Sequence, residues 1–260
     1  MASIRPRAAM AAAYEESARE YIKALPMEHF MEALPQATQR KITLESLDLL
    51  RSRRSDFQVF NELLVQYEVA GQRKPGQVVP DNMVVLSDKP VQSETCFNTP
   101  LEPVGPFWMM EYVSKNNKRK DYEDNFDKYE YALKVPYYLT FYPDNQELSL
   151  YKHNGKKYVS VKPNKHGRLA LPELDLEIAL HGGWIRFWYQ GDLLPLPADL
   201  QRELDQTKRE LEMANRRAEE AIRQAERSAL RIAELERLLD AEKSRRTGSE
   251  TKSSNGSKSK

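Results

Sequence analysis

The spacing of apolar residues changes along this chain, and each spacing predicts a different element. From Ala11 to Ala24 it is helical, after a start whose composition predicts disorder. Pro26 interrupts that helix, and Met27 to Leu34 reads as an amphipathic turn or two. Pro35 then opens a helix running to about Arg53, with Ile42, Leu44, Leu47 and Leu50 on its apolar side. Arg51, Arg53 and Arg54 crowd its end, where cations suit the helix dipole. Phe57 to Val69 mixes alternation with a central apolar pair and reads as one bent strand or two short ones, followed by a turn from Gly71 to Gly76.

Two runs then read as strands. Asn82-Met83-Val84-Val85-Leu86 follows Pro80-Asp81, and Phe107-Trp108-Met109-Met110-Glu111-Tyr112-Val113 follows Pro106. The connection between them, Ser87 to Gly105, holds three prolines and is long for an ordered loop, so it predicts edge structure or a flap. Asn116-Asn117-Lys118-Arg119-Lys120 leads into a helix predicted from about Asp121 to Leu133, and Val135 to Tyr142 forms the next core strand. Strand, helix, strand is a crossover unit, which predicts that this strand lies parallel to the one carrying Glu111. Hairpins follow: Leu148 to Lys152 and Lys157 to Val161 flank Asn154-Gly155, Leu174 to Leu180 alternates apolar with polar, and Trp184 to Tyr189 follows Gly182-Gly183.

From Leu200 the period becomes seven. Leu204, Leu211, Ala218, Ala225, Ile232 and Leu239 fall on one seam position, and Leu200, Thr207, Ala214, Ala221, Ser228 and Leu235 on the other. That is a coiled coil with an alanine-rich middle, the alternative being a solitary solvated helix. The serine- and lysine-rich stretch from Arg246 has the composition of disorder. The organisation expected is an N-terminal extension over 1–25, a folded domain over 26–197, a coiled-coil helix over 198–245 and a tail over 246–260.

Composition adds little to this. A net charge of +1 over 260 residues announces no nucleic-acid partner, so any basic surface is local. The one cysteine, Cys96, excludes an intrachain disulfide and suits a reducing cytoplasm, and no apolar run is long enough to cross a membrane. His29, His153, His166 and His181 lack metal-ligand spacing. The informative residues are two acids. A carboxylate inside an apolar strand is costly without positive compensation. If the two strands pair antiparallel, Asp81 at the start of the first meets Glu111 near the end of the second. Converging carboxylates beside a lysine-rich segment suit a magnesium-dependent phosphodiesterase.

Val78-Val79-Pro80-Asp81, Glu111-Tyr112-Val113-Ser114, the helix from Asp121 to Tyr129, and Val135-Pro136-Tyr137-Tyr138 with Pro143 together resemble the Uma-two family. That is a largely bacterial group within the PD-(D/E)XK, restriction-endonuclease-like superfamily, and the resemblance covers roughly Met27 to Pro197. It implies an α/β fold with a mixed central sheet flanked by helices, here followed by a long C-terminal coiled-coil helix. It implies an endonuclease acting on DNA with Mg2+ or Mn2+, the metal held by Asp81, Glu111 and the Tyr112 carbonyl. The superfamily's lysine stands two residues after the second acid, where this chain has Val113. The family commonly moves it to the next helix in a Lys-Phe-x-x-Tyr pattern, which here reads Asn125-Phe126-Asp127-Lys128-Tyr129. Lys128 and Lys115 are therefore the candidate catalytic lysines, and Lys118, Arg119 and Lys120 the candidate phosphate contacts. A cytoplasmic homodimer, paired through the coiled coil, would serve two cuts on a duplex. Two alternatives stay open: a silent nucleic-acid-binding module on the same fold, and an interaction protein worked through its coiled coil.

Overall fold

A computed structural model describes residues 7–25, 34–91, 95–113 and 123–254, with side chains as far as 244. It divides into two compact units, Met1–Pro197 and Ala198–Lys260. The first opens with helices α1 (Arg7–Ala24) and α2 (Leu34–Arg51), followed by strands β1 (Phe57–Asn61), β2 (Val65–Tyr67), β3 (Gly76–Val78), β4 (Asn82–Leu86), β5 (Phe97–Asn98) and β6 (Trp108–Tyr112). A helical turn α3 (Asn125–Asp127) widens into a π turn over Lys128–Ala132. Strands β7 (Tyr137–Tyr142), β8 (Glu147–His153), β9 (Tyr158–Ser160), β10 (Leu169–Leu171), β11 (Leu176–His181), β12 (Trp184–Tyr189) and β13 (Asp192–Leu193) complete it. The second unit is helix α4 (Pro197–Ser254). It runs through Arg246, where composition alone predicts disorder.

Among the described residues the strands form three sheets, the largest ordered β1-β4-β6-β7-β8-β9. Within it β4 lies antiparallel to β6, and β6 parallel to β7 across the helical crossover. Phe57 to Val69 divides at Glu62, whose φ of 48° is left-handed, so β1 joins the large sheet and β2 a small one with β3 and β5. That positive φ turns the chain sharply at a cost any non-glycine residue bears. The long polar connection does hold edge structure, β5, while residues 92–94 lie outside the described set.

Both faces of the large sheet are covered, which is why β4, β6 and β7 are mostly apolar and buried at nearly every position, with Asn82, Glu111 and Thr140 as the polar exceptions. Alternation sorts their side chains. Val84, Trp108, Met110, Tyr112, Leu139 and Phe141 pack with α2 and the sheet β10-β11-β12-β13. Met83, Val85, Met109 and Tyr138 pack with Tyr129 and the small sheet. The strand β10 carries Leu169 and Leu171 into the first of these cores, but is too short to give a periodic signal. Glu111 shares the parity of Met109, so its side chain leaves on the face covered by Tyr129.

Leu139, fully buried at the centre of β7, tests this account of the core. Leu139→Ala should destabilise the fold by about 2–5 kcal/mol in urea unfolding. A loss under 1 kcal/mol would mean that β7 is not central.

Candidate active site

The antiparallel register sets Asn82 opposite Met110, so one further step brings Asp81 beside Glu111. The carboxylate of Asp81 reaches over the end of β6, where its Oδ2 accepts the Tyr112 N–H at 2.5 Å. Its Oδ1 lies 3.5 Å from the guanidinium of Arg40, which also pairs with Glu62 Oε1 at 2.8 Å. The side chain of Asp81 stays 25% exposed and that of Arg40 14% exposed, so this corner opens to solvent.

Glu111 is different. At 2% exposure it is buried, and its Oε1 accepts hydrogen bonds from Asn125 Nδ2 at 2.9 Å and the Tyr129 hydroxyl at 2.6 Å. A buried carboxylate needs such donors, and α3 with its π turn supplies both from one face. The π turn is a rare geometry that recurs at functional sites. Burial, then the charges of Glu111 and, more weakly, Asp81, push the Tyr129 phenol well above its ordinary value.

Tyr112 joins the two acids to α2. Its carbonyl accepts from Gln36 Nε2 at 2.7 Å, while its hydroxyl lies 2.7 Å from both Thr43 Oγ1 and Asn82 Oδ1. Thr43 accepts in turn from Gln39, whose amide spans the Ile185 backbone, taking its N–H at 2.8 Å. All of these groups are buried apart from Gln36, so the second sheet helps to hold the end of β6. Burial raises the Tyr112 phenol strongly as well.

The structure thus brings together Asp81, Glu111 and Tyr112. Asn125, at the place where the resemblance puts a lysine, reaches Glu111 directly with an amide instead. Lys128 is half-buried on the π turn, one residue before Tyr129. Lys115, Lys118, Arg119 and Lys120 lie outside the described residues. Val113 is buried, with its N–H donated to the Phe141 carbonyl, so a side chain there faces the core. The sequence reading missed Gln36, Arg40 and Glu62. Arg40 is one of three cations on α2, beside Lys41, and nothing in its spacing distinguishes it.

A divalent cation is the group to test against these residues. Two carboxylates and a carbonyl are hard oxygen donors, and Mg2+ is commonly held by one or two carboxylates with waters and substrate phosphate. Among the described residues no three His, Cys, Asp or Glu side chains gather, and the three oxygen donors named here would leave coordination positions to water and phosphate. With Asp81 partly exposed, a phosphate has access to it.

A family model described as "Putative restriction endonuclease", Uma2, matches residues 29–183. No curated protein matches the chain. The crystal structure of a "putative nuclease belonging to DUF820" from Anabaena variabilis ATCC 29413 is similar at 14% identity, over 55% of this chain and 75% of that one, with a TM-score of 0.42. No helix among the described residues is long and apolar enough to cross a membrane.

The raised phenols give this site a pH signature. For Tyr112, Tyr129 and Tyr158 the fold favours the neutral form. Their contribution to stability is therefore complete below the unfolded value near 10 and lost as pH rises past it. In an alkaline titration followed at 295 nm, these three phenols should ionise only as the chain unfolds. Ionisation of all 13 tyrosines near pH 10 with far-UV dichroism intact would contradict the buried network. Tyr129→Phe, which removes a donor from the buried Glu111, should cost about 1.5–3 kcal/mol.

Proposed function

This chain belongs to the Uma2 family, and on that premise we propose that it hydrolyses DNA phosphodiester bonds, as an endonuclease, at a divalent cation held by Asp81 and Glu111. What supports the reading is the register that sets Asp81, just before β4, opposite Glu111, near the end of β6, the one partly open to solvent and the other buried.

Each residue then has a role. Asp81 and Glu111, with the Tyr112 carbonyl, would hold Mg2+ or Mn2+, and the ion would polarise the phosphate and activate water. Asn125 and Tyr129 orient the Glu111 carboxylate, and Gln36 orients the Tyr112 carbonyl. Arg40 supplies a permanent cation at the mouth of the site, on Asp81. Being always protonated it cannot act as a base, but it can offset charge that develops on the phosphate, the part a lysine at Val113 or Asn125 would take. Lys128 and Lys115 are the second candidates for that part, and Lys118, Arg119 and Lys120 would hold neighbouring phosphates. We place the enzyme in the cytoplasm, in keeping with its single, buried Cys96. Two cuts on a duplex call for a pair of such sites.

Nicking of supercoiled plasmid with Mg2+ or Mn2+ tests this. Asp81→Asn and Glu111→Gln should each lower the rate by about 100-fold or more, and Arg40→Gln by about 10- to 100-fold with partial recovery in Arg40→Lys. Equal nicking by all preparations would mean a contaminant and remove the claim. Binding of DNA without any nicking would support the silent binding module instead, a reading favoured by the valine at position 113.

A further inference from the structure

The helix α4 leaves a complete seam uncovered. Leu200, Leu204, Leu211, Ile232, Leu235 and Leu239 are between 41% and 59% exposed. A helix of 58 residues with an apolar stripe along it gains stability by covering that stripe with a partner of matching length. We propose that this partner is a second copy of the same helix, parallel and in register, so that both folded units leave from one end of the pair. The pairing stands apart from the nuclease reading; only its use in cutting two strands rests on that reading.

Register and charge argue for the copy and for its direction. With Leu204, Leu211, Ala218, Ala225, Ile232 and Leu239 at position a, the positions d are Leu200, Thr207, Ala214, Ala221, Ser228 and Leu235. In a parallel pair like layers meet: leucines at the two ends, alanines in the middle, and each hydroxyl opposite its own kind. The antiparallel alignment that keeps all twelve layers sets Thr207 against Ile232 and Leu211 against Ser228. It thus buries hydroxyls against aliphatic side chains.

The flanking positions agree. In a parallel pair each g residue faces the e residue five places on in the other copy. Glu203 then meets Lys208, and Arg231 meets Glu236, both attractive. Arg217 meets Ile222 and Leu238 meets Lys243, so a long cationic stem covers each of the two large apolar flanking residues. No g residue meets a like charge in this alignment. Arg231 also pairs with Glu234 of its own helix at 2.7 Å, an exposed contact weak enough to be shared. Ile232 at a with Leu235 at d is the combination that favours two strands over three.

Light scattering on the full chain should therefore give twice the monomer mass. Leu204→Glu with Leu235→Glu should return it to monomer without shifting the unfolding of the folded unit. Direction is read by a spin label at Arg202→Cys, an outward position, in a Cys96→Ser background. A parallel pair should give a label separation of about 30 Å or less. An antiparallel pair should give about 50 Å, from a rise of 1.5 Å per residue. A monomeric wild-type chain, a trimer, or the long distance would each overturn the proposal. Because none of these readouts uses nicking, failure of the pairing and failure of the nuclease reading are told apart.

Discussion

The first unit depends on how a negative charge is kept inside it. Glu111 sits on a strand covered on both faces, where an unpaired carboxylate would be among the most costly groups a fold can bury. The chain meets that cost with the Asn125 amide and the Tyr129 hydroxyl, both aimed at the same oxygen. These donors lie four residues apart, on the helical segment described in the β6–β7 crossover. The widened π turn, the burial of Tyr129 and the parallel pairing of β6 with β7 are parts of one solution to where that charge goes.

The second acid is held by different means. Asp81 is fixed by a backbone N–H of the strand that carries Glu111, and its charge is met by Arg40 from α2. Tyr112 is the joint between the two arrangements. Its N–H serves Asp81, its carbonyl is taken by Gln36, and its hydroxyl is tied through Thr43 and Gln39 to the backbone of Ile185 in another sheet. A fixed acid beside an exposed one is what an open metal site requires: a rigid anchor and a mouth that substrate can enter.

Much of this was legible in the sequence because burial on both faces leaves a strong mark. The runs after Asp81 and around Glu111 are apolar without alternation, and the one carboxylate in the second run stands out against them. The parallel return at Tyr137–Tyr142 followed from the crossover rule, the antiparallel pairing of the two runs entered as a condition, and the sheet has both. What the sequence hid were contacts between distant segments that no local pattern encodes. Arg40 reads as a surface cation of a basic helix, yet it lies on Asp81. Gln39 and Thr43 read as polar positions on an amphipathic helix, yet both are fully buried because they bond to each other and to neighbouring segments. Short strands such as β5 and β13 exist only through their partners and carry no periodicity of their own.

The claim that Asp81 and Glu111 share one cation is tested most directly by Mn2+ binding to the full chain, followed by calorimetry and by loss of the free-ion resonance signal. The account predicts binding to the wild-type chain that weakens sharply in Asp81→Asn and in Glu111→Gln, with no further loss when both are changed. Unaltered Mn2+ affinity in either single variant, in a protein whose fold is intact, would contradict it.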